Sequence, residues 1–279
     1  MNGQHLAKKV AAQFTSIASV EAIALGGSQS SCLIDRQSDI DLYIYTNEAI
    51  PLEKRQGIVK KLGASKADMN LTFWDPGDEW FDLETGIEVD VMYWHPTWIE
   101  EQLARVLDLH QASMGYTTCF WHTVKNTHIL FDRMGWFHKL QEKSRQPYPE
   151  PLKRAIIAKN HPVLRNVIPA YTHQIEKALI RNDLVSINHR LAALFASYFD
   201  VLFAINEVLH PGEKKMVTFA KEECALLPEN LEGIIADIFQ YAAAGDLKVL
   251  DEMNALLDGL DELLKAEGFD PHLTLHLAP

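Results

Sequence analysis

Cysteine is scarce in this chain, and the few present are badly placed for cross-linking. Cys32, Cys119 and Cys224 are an odd number spread over 279 residues, which supports neither a disulfide framework nor a cysteine zinc site and suits a reduced cytosolic setting. Long hydrophobic runs are also missing. The most apolar stretch, Leu191 to Ile205, is about fifteen residues and contains Asp200, too short and too charged to span a bilayer. The N-terminus carries Lys8 and Lys9 before any apolar stretch and lacks a small-residue cleavage pattern, so no signal peptide is expected. Positive charge is in deficit: 26 Lys and Arg stand against 38 Asp and Glu, a net charge of −12. Such a surface repels polyphosphate, so no nucleic-acid partner and no membrane partner are expected, while a small or cationic substrate fits. There is no internal repeat and no low-complexity tract. What remains, 47% apolar and 23% charged residues, is the composition of a globular protein with one large or two medium domains.

The first half alternates short strand-like and helix-like stretches. Leu6, Val10, Phe14 and Ile17 fall at helical spacing, and Ala22 to Leu25 is an apolar run stopped by Gly26-Gly27, as a buried strand would be. Strands are expected over Ile40 to Tyr45, Asn70 to Trp74, Ile87 to Trp94 and Thr127 to Phe131, with a helix over Leu52 to Leu62. Thr97 and Glu100 have the spacing of a capping box for a helix reaching about His110. Three prolines within five positions, Pro147 to Pro151, then interrupt any regular element, and the domain boundary is placed there: 1–146, then 147–279. Beyond it the period is helical, above all over Asp183 to Leu209, followed by helices near 231–244 and 247–266. The expected fold class is an α/β (α+β) domain with a mixed sheet, followed by an all-α helical bundle.

Two short segments carry chemistry. Ala24-Leu-Gly-Gly-Ser28 places two glycines after a strand, where the backbone turns sharply and approaches a ligand, and Ser28 adds a hydroxyl and an N–H. After ten residues comes Asp39-Ile-Asp41. Two residues apart on a strand, these carboxylates share a face and repel one another unless a cation sits between them, and hard oxygen ligands facing phosphates suit Mg²⁺. A third acid, Asp90, alternates with Val89 and Val91 on a core-like strand, and Glu88 shares its face. Trp74, Trp80, Trp94 and Trp98 cluster nearby and are expected to pack in the core and at its rim.

Gly-Gly-Ser, a spacer, Asp-x-Asp between apolar residues, then a lone acid between apolar residues resembles the signature of the nucleotidyltransferase superfamily related to DNA polymerase beta. Within it the chain resembles the bacterial aminoglycoside and lincosamide nucleotidyltransferases, which join a minimal catalytic domain to a C-terminal helical domain. The match spans Ala24 to Met92, and a looser similarity continues through Ile129 to Gly135, the Pro-Tyr-Pro junction and Leu202 to Lys215.

The resemblance implies that Gly26, Gly27 and Ser28 hold the triphosphate, that Asp39, Asp41 and Asp90 bind two Mg²⁺ ions, and that Asp90 or its neighbour Glu88 deprotonates the acceptor. Lys214 and Lys215 become candidates to meet the phosphates. The implied activity is Mg²⁺-dependent transfer of a nucleoside monophosphate, AMP from ATP or its counterpart from another nucleoside triphosphate, to a hydroxyl of a small molecule such as an antibiotic, releasing pyrophosphate in the cytoplasm. The alternatives are a protein-modifying, toxin-like nucleotidyltransferase and a non-catalytic nucleotide-binding protein. Neither the acceptor, the base nor the oligomeric state is written in the sequence.

Overall fold

The computed structural model describes residues 3–26 and 39–270. The chain divides into two compact units, the first formed by residues up to 104 and 123–146, the second by 105–122 and the residues from 147 on. The division is thus crossed three times, at 104/105, 122/123 and 146/147, whereas the sequence suggests a single cut.

The first unit is built on a six-stranded mixed sheet. Its elements in chain order are α1 (Gly3–Phe14), β1 (Val20–Leu25), β2 (Ile40–Thr46), α2 (Leu52–Leu62), β3 (Ala64–Leu71), β4 (Gly77–Asp82), β5 (Glu88–Trp94), α3 (Pro96–Leu107), α4 (Cys119–Asn126), β6 (His128–Asp132) and α5 (Trp136–Lys143). The last three residues of α3 and the first four of α4 fall in the second unit. The strand order is β3-β4-β5-β2-β1-β6; β2 and β5 run parallel and every other pair is antiparallel.

One sheet face is apolar because the strands alternate with period two. Ile40, Leu42 and Ile44 of β2 and Val89 and Val91 of β5 are fully buried in one cluster with Leu6, Val10 and Phe14 of α1 and Val59 and Leu62 of α2. A buried carboxylate on β4 belongs to this face. Asp78, opposite Val91 and fully buried, accepts hydrogen bonds from the Arg55 guanidinium (2.5 Å), the Asn70 amide (2.8 Å) and the Tyr93 hydroxyl (2.8 Å). A buried charge is tolerable only with such a partner set.

Two elements differ from expectation. Asn70 to Trp74 is not a strand: β3 runs earlier and ends at Leu71, Phe73 and Trp74 stand in the turn at 83% and 94% exposure, and β4 follows. The reason is that β3 is the sheet edge, so Ser65, Lys66, Ala67 and Asp68 are all exposed and give no apolar alternation to read. The capping box is also absent. The helix already begins at Pro96, the His95 ring bonds the Thr97 amide (3.3 Å) and hydroxyl (2.7 Å), and Glu100 accepts from the Trp136 indole (2.6 Å). Trp80 is core, as expected of it, whereas Trp74 is not.

Beyond residue 147 the described elements are helices: α6 (Glu150–Asn160), α7 (Pro162–Arg165), α8 (Tyr171–Ile180), α9 (Leu184–Ile205), α10 (Met216–Glu223), α11 (Leu231–Ala244) and α12 (Lys248–Ala266). Asp183 caps α9 by accepting from the Ser186 amide (3.0 Å) and hydroxyl (2.7 Å). All of Leu194 to Ile205 is buried, so α9 is apolar all round over its second half and forms the axis of this unit. The helix stops four residues short of Leu209 because Glu207 takes a left-handed backbone and the Asn206 side chain bonds Leu226 through both its carbonyl and its amide. Asp200, buried on α9, holds segment 105–122 by accepting from the Thr117 amide (2.9 Å) and hydroxyl (2.6 Å), and Asn160 donates to it as well. Burial pushes the Asp200 carboxyl up to about 6 even though the Thr117 bonds favour its charged form. Cys119 and Cys224 are free thiols; Cys32, Gly27 and Ser28 lie outside the described residues. No described helix is long and apolar enough to cross a membrane.

Candidate active site

The opposite face of the sheet is built differently. Asp41 on β2 is in register with Asp90 on β5, and Asp90 is in register with Glu79 on β4. Neighbouring strands are about 4.8 Å apart, so three carboxylates form one row across three adjacent strands. Glu88 lies two residues before Asp90 on the same face, and Asp39 is exposed at the start of β2. Glu79 has no counterpart in the sequence reading. The signal was there, since Gly77-Asp-Glu-Trp-Phe-Asp82 alternates around the core residue Trp80, but Asp75-Pro-Gly77 reads as a closing turn and hides the strand that follows.

The row is electrostatically incomplete. Burial raises the Asp90 carboxyl from its ordinary 3.8 to about 7, and the charges of Asp41, Glu79, Glu88 and Asp39 push it in the same direction. Burial likewise raises Glu88, helped by Asp39 and Glu79 and opposed by Lys66. Among the described residues, Asp90 and Glu79 have no ion pair. Nor do three His, Cys, Asp or Glu side chains converge as a complete metal cage among those residues. Mg²⁺ does not require one: it is commonly held by one or two carboxylates, with waters and phosphate oxygens completing its shell. Asp90, half-buried and with its proton affinity raised by burial and by its neighbouring carboxylates, fits a divalent cation on those terms.

Aromatic rings fix the backbone around this row. Tyr43, two residues after Asp41 on the same face, stacks on Trp94 at 4.6 Å and 11°, and Trp94 packs on Trp98 at 4.9 Å. Beyond them Tyr45 meets Phe137 of α5 at 4.9 Å, so this end of the face is covered. The Tyr43 ring also dictates the residue at 26. A Cβ on Gly26 would lie 2.3 Å from Tyr43 Cε2, so only glycine passes here undisturbed. The Gly26 amide donates to the Asp41 carbonyl (2.9 Å), which ties the end of β1 to the strand carrying the acid. Burial, reinforced by Asp41, Asp90 and Asp75, holds the Tyr43 hydroxyl in its neutral form.

Among the residues singled out from the sequence, the structure therefore brings together Gly26, Asp41 and Asp90, with Glu88 and Asp39 at the same end of the strands. Lys214 and Lys215 belong to the second unit, where Lys215 immediately precedes α10.

A sequence family described as a domain of unknown function, DUF4037, matches residues 118–216, a stretch that holds neither Asp41 nor Asp90. No curated protein matches the chain. Among solved structures, the chain is similar to a nucleotidyltransferase-like protein from Exiguobacterium sibiricum 255-15, at 11% identity and a TM-score of 0.42, over 95% of this chain and 75% of that one. It is also similar to a STING-associated CdnE c-di-GMP synthase from Capnocytophaga granulosa, at 13% identity and a TM-score of 0.29, over 94% of this chain and 79% of that one. At that level of superposition the residues described above, rather than these neighbours, carry the reading of the site.

Proposed function

We infer that this protein is a nucleotidyltransferase that moves a nucleoside monophosphate, AMP from ATP in the first instance, onto a hydroxyl of a small molecule. The observation that carries the reading is the register of Asp41 with Asp90 on parallel strands beside the glycine that ends β1. Asp41 and Asp90, with Asp39 beside them, would hold Mg²⁺, which supplies charge neutralisation at the triphosphate and at the attacking and leaving oxygens.

The remaining work falls to the chain. Gly26 keeps the backbone close to the acids, and Gly27 and Ser28 offer N–H and hydroxyl donors to the triphosphate. Asp90 would also take the proton of the acceptor hydroxyl, standing in register with Asp41 on the neighbouring strand. The acceptor oxygen then bonds the α-phosphorus, the bond from that phosphorus to the bridging oxygen breaks, and pyrophosphate leaves with the electron pair. No part in this step is assigned to Lys214 or Lys215. The second unit would serve as the C-terminal helical domain that the sequence resemblance implies.

The test is pyrophosphate release from a panel of nucleoside triphosphates with Mg²⁺ and hydroxyl-bearing small molecules, aminoglycosides and lincosamides among them, beside a cell lysate with labelled ATP. Release that needs a small acceptor and is lost in Asp41→Asn supports the reading. Label that goes only to protein moves the acceptor to a macromolecule, and turnover that survives Asp41→Asn overturns the site.

A further inference from the structure

The second unit contains a cavity of about 360 Å³, lined by residues of that unit alone. That is within the range of small-molecule sites, and its chemistry is divided between two walls. One wall is apolar. Ala192, Phe195 and Phe199 occupy a single stripe of α9, and Ile235 and Phe239 face the cavity from α11. Ala192 is the smallest side chain of that stripe, between Asn188, which also lines the cavity, and Phe195. Phe195 and Phe239 stack at 5.3 Å and 28°, which fixes a flat surface, yet Phe239 keeps 52% of its surface in solvent. A half-exposed ring stacked at the mouth of a cavity is a surface ready to take a further flat group.

The other wall is the start of α10. Met216, Val217 and Thr218, its first three residues, line the cavity, and the N–H groups at that end of a helix have no acceptor within the helix. Lys215, in a left-handed backbone with φ 55°, stands where a capping residue would and caps nothing with its side chain. Among the described residues that line the cavity it carries the only formal charge. A helix N-terminus and an ammonium group on one side both favour a negative group. In a chain of net charge −12 a mostly apolar hollow whose one formal charge among the described lining residues is positive is a distinct environment.

We propose that this cavity binds a small aromatic anion, its rings against Phe195, Phe239 and Ile235 and its single negative group at Lys215 and the start of α10. The site goes beyond nucleotidyl transfer, and neither Asp41 nor Asp90 lines it.

The test is fluorescence titration of the full chain with 8-anilinonaphthalene-1-sulfonate, an aromatic anion, and with N-phenyl-1-naphthylamine, its uncharged counterpart. The sulfonate should bind saturably, one per chain. Ala192→Phe fills the cavity from an exposed position that threatens no core packing, and should weaken both probes at least about tenfold. Lys215→Met should weaken the sulfonate about three- to tenfold and leave the neutral probe unchanged. Val185→Ser, which removes an exposed apolar residue outside the cavity, and Asp41→Asn should alter neither. The proposal is overturned if no saturable binding occurs, if Ala192→Phe leaves binding intact in a protein whose thermal melt is unchanged, or if Lys215→Met affects both probes alike. Loss of transfer activity in Asp41→Asn with unchanged probe binding supports both readings separately.

Discussion

Asp78 and Asp90 sit on neighbouring strands and face opposite sides of one sheet. The first is fully buried, and the protein supplies its cation from Arg55 together with two further hydrogen bonds. The second is half-buried, has no ion pair among the described residues, and faces Asp41 on one strand and Glu79 on the other. Both are aspartates on interior strands of the sheet, so residue type does not separate them; their partners do. A carboxylate satisfied from within serves the fold, whereas Asp90, among neighbours whose charges all raise its proton affinity, is one that a cation from outside would satisfy.

The largest expected effect is on chemistry. Asp41→Asn should lower nucleotidyl transfer at least about a hundredfold while the thermal midpoint holds or rises, a pairing that steady-state assays and melts on the same sample would check. Asp78→Asn should do the reverse. Leaving Arg55 buried without its partner costs about 3–5 kcal/mol, visible as a lowered urea midpoint. If Asp41→Asn proved the more destabilising of the two, the contrast between the faces would fail.

A smaller effect separates the two by pH. Because Asp90 is raised above its ordinary value when folded, the metal-free protein binds a proton more tightly than the unfolded chain. Its contribution to stability is therefore full below about pH 4 and is lost as pH rises through about 7. Asp90→Asn should accordingly stabilise the metal-free protein at pH 8, by about 1–2 kcal/mol after allowance for solvent at a half-exposed group, and the gain should shrink toward pH 4. Melts in EDTA at the two pH values, repeated with Mg²⁺ at pH 8, measure it.

Gly26→Ala sharpens the comparison through the backbone. It should cost about 1–3 kcal/mol by driving the Tyr43 ring off Trp94, and Tyr43→Val in the same chain should return part of that loss in a double-mutant cycle. The smallest effect belongs to Glu79→Gln. Removing one like charge should lower the Asp90 titration midpoint, followed by carboxyl NMR, and change transfer by less than about threefold.

The face that serves the fold was the more legible in the sequence, since Ile40, Leu42, Ile44, Val89 and Val91 alternate cleanly and alternation is what buried strands write. Asp41 and Asp90 were legible for a related reason: a charge repeated among such residues must have a use. Glu79 was not, because it comes from β4, whose start is disguised by Asp75-Pro-Gly77 and whose edge partner β3 carries no apolar pattern. Arg55 and Asp78 were invisible as a pair, being 23 residues apart and brought together only by packing. The place of 105–122 in the second unit was equally hidden, since it depends on Thr117 meeting Asp200.

That last contact bears on how the chain is made. Thr117 and Asp200 are 83 residues apart, and Gly115 meets Asn160 across 45. At about 5–20 residues per second, the ribosome delivers Asp200 roughly 4–17 s after Thr117 has emerged. Throughout that interval segment 105–122 hangs from the end of α3 without the groups that later hold it, while the sheet on either side of it is free to form. A break at the Pro147 junction would make the wait permanent. The first unit is therefore not obtained by stopping the chain there: a shortened protein would carry the eleven-residue loop 108–118 between α3 and α4 without Asn160 and Asp200 as partners for Gly115 and Thr117.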